Sequence, residues 1–147
     1  MLVLQELRIS WTPVVDTEVK MEDKLIKEDI GLVDEILELC KNLVSIESHA
    51  FGSYVSSKDN KFLNISKKAR ELRTKYLSLI TKNEAQSWCI SKHLCECLMR
   101  LQECYTRFLS TGQLEEAKIC SKDYFDLYAL FLLLNNLDKD IKTKSSA

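Results

Sequence analysis

The chain of 147 residues has the size of one domain, and an apolar share of 46% supplies enough side chains for a sizeable core. Three glycines and one proline are too few for the many tight turns of an all-β or α/β protein, so the composition predicts an all-α fold. A net charge of −1 excludes a strongly basic protein and argues against a general affinity for nucleic acid.

The hydrophobic stretches and the cysteines predict a cellular compartment. The longest apolar run, Leu127 to Leu134, is far shorter than the roughly 20 residues that a membrane span needs, and the start of the chain is broken by charge before it reaches signal-peptide length. Cys89, Cys95, Cys97 and Cys104 lie on one predicted helix, where backbone geometry prevents most of them from pairing with each other. We therefore expect a soluble, cytoplasmic protein with reduced thiols, no membrane partner and no cofactor. Cys40, Cys95 and Cys120, on apolar faces, are expected to fill the core.

Residues 1–29 precede the regular helical pattern and are predicted to form an extended N-terminal arm and a linker. Leu7, Ile9 and Trp11 alternate with polar residues, a period-two pattern that is typical of a strand or an extended arm. Residues 16–29 have mixed charge and weak periodicity, which fits a linker or a marginal helix. At the other end of the chain, residues 138–147 are charged and rich in small side chains and are expected to fray.

Residues 30–137 carry apolar side chains three and four positions apart, the spacing of amphipathic helices. This pattern predicts four helices, at about 30–56, at about 60–81, from a capping region at 81–86 to about 110, and at about 113–136. Asp29 and Asp59 are suitable N-caps for the first two, and the sequence offers Thr81 with Glu84, or Asn83 with Gln86, as a capping box for the third. Because the connections are only a few residues long, neighbouring helices must run antiparallel. We therefore expect an up-down-up-down antiparallel four-helix bundle.

The third predicted helix concentrates the side chains with reactive groups. Cys89 and His93 are four positions apart, so both could reach one metal ion, but two ligands do not make a zinc site. We expect no bound metal, and these two residues would be its ligands if one were present. The same pair has the spacing of a Cys-His nucleophile, yet no Gly-rich oxyanion loop and no third orienting group accompanies it. The sequence identifies no catalytic residue and leaves open whether the protein is an enzyme.

A polar layer is predicted in the middle of the bundle. Glu47 lies on the apolar stripe of the first predicted helix, where a carboxylate is costly unless it is paired. Reflecting the chain through its turns places Glu47 level with Arg70 and one helical turn from Arg73 and His93. One interpretation is an ion pair that fixes the register of the bundle. The other is a polar pocket of Glu47, Arg70, Arg73 and His93 that binds a small anionic ligand.

The second predicted helix is strongly basic. Within residues 60–82, seven basic side chains accompany a single acid, Glu71; the bases are Lys61, Lys67, Lys68, Arg70, Arg73, Lys75 and Lys82. One interpretation is charge matching to the acidic first helix, and the other is a contact surface for the phosphate backbone of RNA or DNA. No aromatic side chains are interleaved on the basic face for base stacking. Nucleic acid is therefore an unlikely partner for this sequence.

The fourth predicted helix is apolar on more than one face, because its stretch from Leu127 to Leu134 contains no charge. Three neighbours in a bundle cover only about half of a helix, so a further cover is required. We expect a homo-oligomer, most simply a two-fold homodimer, or a partner protein, with an interface that contains Phe125, Leu130, Leu132 and Leu133. The N-terminal arm is the rival cover. These features predict a non-enzymatic helical interaction or oligomerisation module, with a ligand- or metal-binding protein that uses the mid-bundle polar layer as the alternative.

The order of several short segments also carries a family resemblance. It rests on Ile46-Glu47-Ser48-His49, Ser53-Tyr54, Asp59, Arg70-Glu71-Leu72-Arg73, Trp88-Cys89-Ile90-Ser91-Lys92-His93-Leu94, Met99-Arg100-Leu101 and Tyr128-Ala129-Leu130-Phe131. This order resembles an uncharacterised family of small all-helical archaeal proteins with no assigned activity. The resemblance covers residues 30–137 and implies a helical fold, but it supplies no catalytic residues. The Arg-(four to six residues)-His signature of helical HEPN-type ribonucleases is absent at both His49 and His93.

Overall fold

The computed structural model of the protein describes residues 23–137, and every regular element in that range is an α-helix. The helices are α1 (Asp23–Glu28), α2 (Ile30–Ser57), α3 (Asn60–Leu77), α4 (Ala85–Ser110) and α5 (Leu114–Leu134). The all-α prediction is therefore confirmed for this part of the chain. α1 occupies the segment that was expected to be a linker or a marginal helix. Most of the predicted N-terminal arm and the tail 138–147 lie outside the described residues.

Local side chains determine where two of the long helices begin. The carboxylate of Asp29 accepts a hydrogen bond from the backbone N–H of Leu32 at 3.2 Å, at the start of α2. Asp59 does the same for the N–H of Lys61 at 3.0 Å, at the start of α3. Both predicted N-caps are confirmed, and each satisfies a backbone donor that the first helical turn leaves free.

The connection between α3 and α4 differs from the prediction. α3 ends at Leu77 instead of residue 81, because the chain tightens into bonds three residues apart, with the N–H of Ile80 donating to the carbonyl of Leu77 at 3.2 Å. The hydroxyl of Thr81 also donates to the carbonyl of Leu77, so it does not cap α4. α4 begins after Glu84 without a side-chain cap, and neither predicted capping box forms.

The core lies where the first half of α2, the end of α3, the middle of α4 and the end of α5 meet. Its fully buried side chains come from all four of these helices and the turn after α3: Val33, Leu37, Cys40, Leu77, Ile80, Cys95, Leu98 and Phe131. α2 packs mainly against α3, α4 packs mainly against α5, and α2 also packs against α4. None of the helices within residues 23–137 is long and apolar enough to cross a lipid bilayer.

The cysteines behave as the sequence predicts. All six are free thiols, and Cys40, Cys95 and Cys120 are buried. Burial raises the pKa of the Cys40 thiol to about 12, although the charge of Arg73 acts in the opposite direction. Burial also raises the pKa of Cys95. Because the thiolate is the reactive form of cysteine, Cys40 and Cys95 serve as small apolar side chains of the core and not as nucleophiles.

Candidate functional site

A cleft of about 640 Å³ opens between α2, α3 and α4. All four residues of the predicted polar pocket, Glu47, Arg70, Arg73 and His93, lie in its walls. They come from three different helices, so the sequence alone could relate them only through the expected register of the bundle. The volume falls within the roughly 300–1,000 Å³ of clefts that hold small molecules.

The carboxylate of Glu47 is the centre of the polar wall. Its Oε1 accepts a hydrogen bond from Nε of Arg70 at 2.8 Å, and its Oε2 accepts one from Nε of Arg73 at 2.9 Å. Nη2 of Arg73 adds a longer bond to Oε1 at 3.4 Å. The predicted contact between Glu47 and these arginines is therefore confirmed, and both arginines take part.

The three charged groups differ in their contact with solvent. The side chain of Glu47 is 16% exposed and that of Arg73 only 7%, whereas the side chain of Arg70 is 68% exposed. Burial by itself would raise the pKa of Glu47, but the hydrogen bonds and charges of Arg73 and Arg70 outweigh it and hold the pKa below its ordinary value. Glu47 is therefore a carboxylate at neutral pH and cannot act as a general acid there.

The local sequence explains why the two arginines converge on one carboxylate. Arg70 and Arg73 are three positions apart on α3 and so share one face of that helix. Ala69, which is buried directly before Arg70 in the chain, has a side chain small enough for α2 and α3 to approach closely. The hydroxyl of Ser66 donates a hydrogen bond to the backbone carbonyl of Glu47 at 3.1 Å, which fixes the register of the two helices at this level.

The opposite wall of the cleft comes from α4, where Trp88, Lys92, His93 and Glu96 follow one another at helical spacing. Phe51 of α2 adds an exposed aromatic ring. The charged side chains of the whole cleft are the cations Arg70, Arg73 and Lys92 and the carboxylates Glu47 and Glu96. These five side chains together carry one net positive charge.

The geometry gives no support to a metal centre on α4. Cys89 is exposed and is not among the residues that line the cleft. Among residues 23–137, no three histidine, cysteine, aspartate or glutamate side chains come together in a group that could hold a metal ion. Cys89 and His93 therefore have no third ligand in the described part of the chain.

A second polar cluster was missed by the sequence analysis. The side chain of Lys41 is fully buried, and its Nζ donates hydrogen bonds to Oε1 of Glu38 at 2.7 Å, to Oε1 of Gln102 at 3.0 Å and to the hydroxyl of Tyr124 at 2.5 Å. The ammonium also lies 4.7 Å from the centre of the Tyr124 ring. Burial alone would lower the pKa of Lys41, but the bonds to Glu38 and Tyr124 outweigh it and raise the pKa.

The signal for this cluster was present in the helical spacing. Lys41 follows Leu37 by four positions and precedes Val44 by three, so it lies on the same apolar stripe of α2 as the core residues. A lysine on such a stripe must either extend to the surface or find acceptors inside the protein. Two of its three acceptors, Gln102 and Tyr124, come from α4 and α5, which is why the sequence could not identify them.

The predicted interface residues do not share one environment. Phe125, Leu130 and Leu133 are each more than half exposed, as expected of a surface that awaits a cover. Leu132 is the exception, because it is only 2% exposed and packs in the core beside Phe131. Leu132 was therefore wrongly grouped with the exposed residues, since it belongs to the buried core.

Comparison of the chain with protein-family models, with curated proteins and with solved structures finds no match. The resemblance to small archaeal helical proteins stays a prediction. A function for this chain must come from its own residues and their geometry.

Proposed function

We propose that the protein is a non-enzymatic helical module that self-associates, and that its four long helices form an up-down-up-down antiparallel bundle. The links support the bundle, since only Lys58 and Asp59 connect α2 to α3. The contacts of α2 with α5 support it as well: Asp34 accepts a hydrogen bond from Tyr128, whereas Lys41, later in α2, donates to Tyr124, earlier in α5. Contacts that advance along one helix and recede along the other are those of an antiparallel pair.

The exposed apolar surface of α5 carries the proposal of self-association. Leu130 and Leu133 are three positions apart, both are more than half exposed, and no charged residue occurs between Leu127 and Leu134. Phe125 is about 80° further around the helix from Leu133 and extends this surface at one edge. Burial of about 100 Å² of apolar surface contributes about 2.5 kcal/mol before the costs of association are subtracted. A two-fold axis repeats every such contact, which makes a second copy of the chain the simplest occupant.

Light scattering or sedimentation equilibrium over a range of protein concentrations tests this proposal. We expect a dimeric wild type and a monomeric Leu133→Glu variant, because a charge in the buried interface has no partner. Leu109→Glu is the matched control, since Leu109 is an exposed leucine on α4 and should leave the dimer intact. A monomeric wild type would contradict the proposal, as would a Leu133→Glu protein that remains dimeric. If the wild type is monomeric and the protein without residues 1–22 is dimeric, the N-terminal arm is favoured as the cover of α5.

The cleft favours a second function, the binding of a small anionic ligand by Glu47, Arg70, Arg73 and His93. The observation that supports it is the hydrogen bonding of the Arg70 guanidinium. Its exposed guanidinium uses Nε to bond Glu47, and the N–H donors on Nη1 and Nη2 have no acceptor among the described residues. Arg70 lines a cleft whose charged side chains sum to a net positive charge. Binding of inorganic phosphate that depends on Arg70, measured by titration calorimetry, tests this function.

A further inference from the structure

We infer that the ligand of this cleft is an anion attached to a flat aromatic ring, as in a nucleoside monophosphate or an aromatic carboxylate. This inference rests on the second proposed function, the small-anion site, and adds the chemical class of its ligand. It follows from two kinds of side chain that line one space of about 640 Å³: the basic wall of α3, formed by Arg70 and Arg73, and the aromatic side chains of α4 and α2.

The aromatic side chains of the cleft are those of Trp88 on α4 and Phe51 on α2. Trp88 is half-buried and packs against the core at its inner edge, so its position is fixed by the fold. Phe51 is exposed, although most large aromatic side chains of a folded domain are covered. A flat ring is a ligand group that either side chain accommodates, because aromatic faces attract one another in stacked or edge-to-face arrangements.

The basic wall can hold the anion without being rebuilt. Glu47 occupies Nε of both arginines and so fixes the orientation of the guanidiniums, while the outer N–H groups of Arg70 remain free of acceptors in the described chain. Lys92 of α4 lies in the same cleft and adds a second cation that has no ion-pair partner within residues 23–137. Guanidinium groups match the oxygen atoms of phosphate and carboxylate in geometry as well as in charge.

An ion pair that stabilises the fold does not explain why two arginines bind Glu47. A carboxylate needs only one guanidinium to offset its charge, and Arg73, the buried one, already supplies two bonds to Glu47. Arg70 is then in excess for the stability of the fold, but it is placed where it increases the positive charge of a cleft that also contains an indole ring. A ligand with both an anion and a ring uses both properties at once.

Titration calorimetry on the unmodified protein tests the ligand class with four probes: adenosine monophosphate, adenosine, inorganic phosphate and benzoate. We expect saturable binding of the monophosphate, weaker binding of phosphate by about tenfold or more, and no saturable binding of adenosine. Fluorescence gives an independent reading. The protein has two tryptophans, so the Trp11→Phe variant isolates Trp88, whose emission should change with the monophosphate and not with phosphate.

Three variants separate the roles of the two walls. Arg70→Gln should weaken binding of the monophosphate about tenfold or more and leave the unfolding transition almost unchanged, because its side chain is mostly exposed. Lys68→Gln is the matched control: Lys68 is an exposed cation of the same helix that pairs with Glu71 outside the cleft, and its loss should not change binding. Trp88→Leu should weaken binding of the monophosphate and leave binding of inorganic phosphate unchanged.

The outcomes distinguish this inference from the function on which it rests. Equal binding of phosphate and the monophosphate would keep the anion site and overturn the aromatic part. Adenosine binding as tightly as the monophosphate would overturn the role of the anion, and so would a monophosphate affinity that Arg70→Gln does not change. If none of the four probes binds, both the site and its ligand class are wrong. Benzoate binding with the strength of the monophosphate supports the inference and identifies a carboxylate as the accepted anion.

Discussion

Replacing Glu47 by glutamine removes the one negative charge that holds two arginines and leaves a side chain of the same shape. The exposed pair of Glu47 with Arg70 and the buried pair of Glu47 with Arg73 contribute unequally to the stability of the fold. Arg73 is 7% exposed and would lose the carboxylate that offsets its burial, whereas Arg70 is 68% exposed and would be solvated by water. We therefore expect Glu47→Gln to destabilise the fold almost entirely through Arg73.

The geometry sets the size of this effect. The bond from Nε of Arg73 at 2.9 Å is a charged hydrogen bond, a class that contributes about 1.5–3 kcal/mol, and the second bond at 3.4 Å adds little. The pair with Arg70 is worth at most about 1 kcal/mol because of its exposure. Since the amide oxygen of glutamine still accepts one weaker bond, the expected loss is about 2 kcal/mol. For a domain of this length that corresponds to a fall in Tm of about 8 °C.

Urea unfolding followed by circular dichroism measures this loss, with Arg70→Gln as the control that should cost less than about 1 kcal/mol. A double-mutant cycle between Glu47→Gln and Arg73→Gln should give a larger coupling energy than the corresponding cycle with Arg70→Gln. If Glu47→Gln costs no more than Arg70→Gln, the buried pair does not stabilise the fold and the argument from burial is refuted.

Two further predictions follow from the buried charges. The effect of Glu47→Gln should depend on pH. Because the pKa of Glu47 is lowered in the folded state, its contribution to stability is present above the unfolded pKa of about 4.3 and is lost as the pH falls through the folded pKa. The urea midpoints of wild type and variant should therefore converge in acid, and a gap that widens in acid would contradict this reasoning. The free energy of unfolding of Lys41→Met should lie within about 1 kcal/mol of the wild-type value, because Glu38 is half exposed and can bind water instead. Lys41→Ala should lower the free energy of unfolding by about 2–5 kcal/mol, because it leaves a cavity. Equal losses in urea unfolding for both variants would show that the hydrogen bonds, and not the packing of the stem, stabilise this site.

The sequence by itself determined the local features of the fold. The N-caps Asp29 and Asp59 act on backbone groups two or three residues away, so their effect needs no knowledge of the rest of the chain. Helical spacing identified the face of α2 that carries Glu47, and the two-residue link to α3 limited the residues that could lie opposite it. The contact with Arg70 and Arg73 was predictable because a short hairpin ties the register of two helices to their shared turn.

Only the tertiary structure decided how each helix is rotated about its own axis relative to helices that are distant in sequence. The stretch of α5 from Leu127 to Leu134 is apolar on nearly all sides, so its spacing could not tell that Leu132 would face the core while Leu130 and Leu133 face outward. Two of the three acceptors of Lys41 lie 61 and 83 residues further along the chain, and Phe51 and Trp88 line the same cleft as the arginines but come from different helices. Such rotations depend on the packing of all the helices together, where many side chains must fill one space at once, and no local pattern specifies that arrangement.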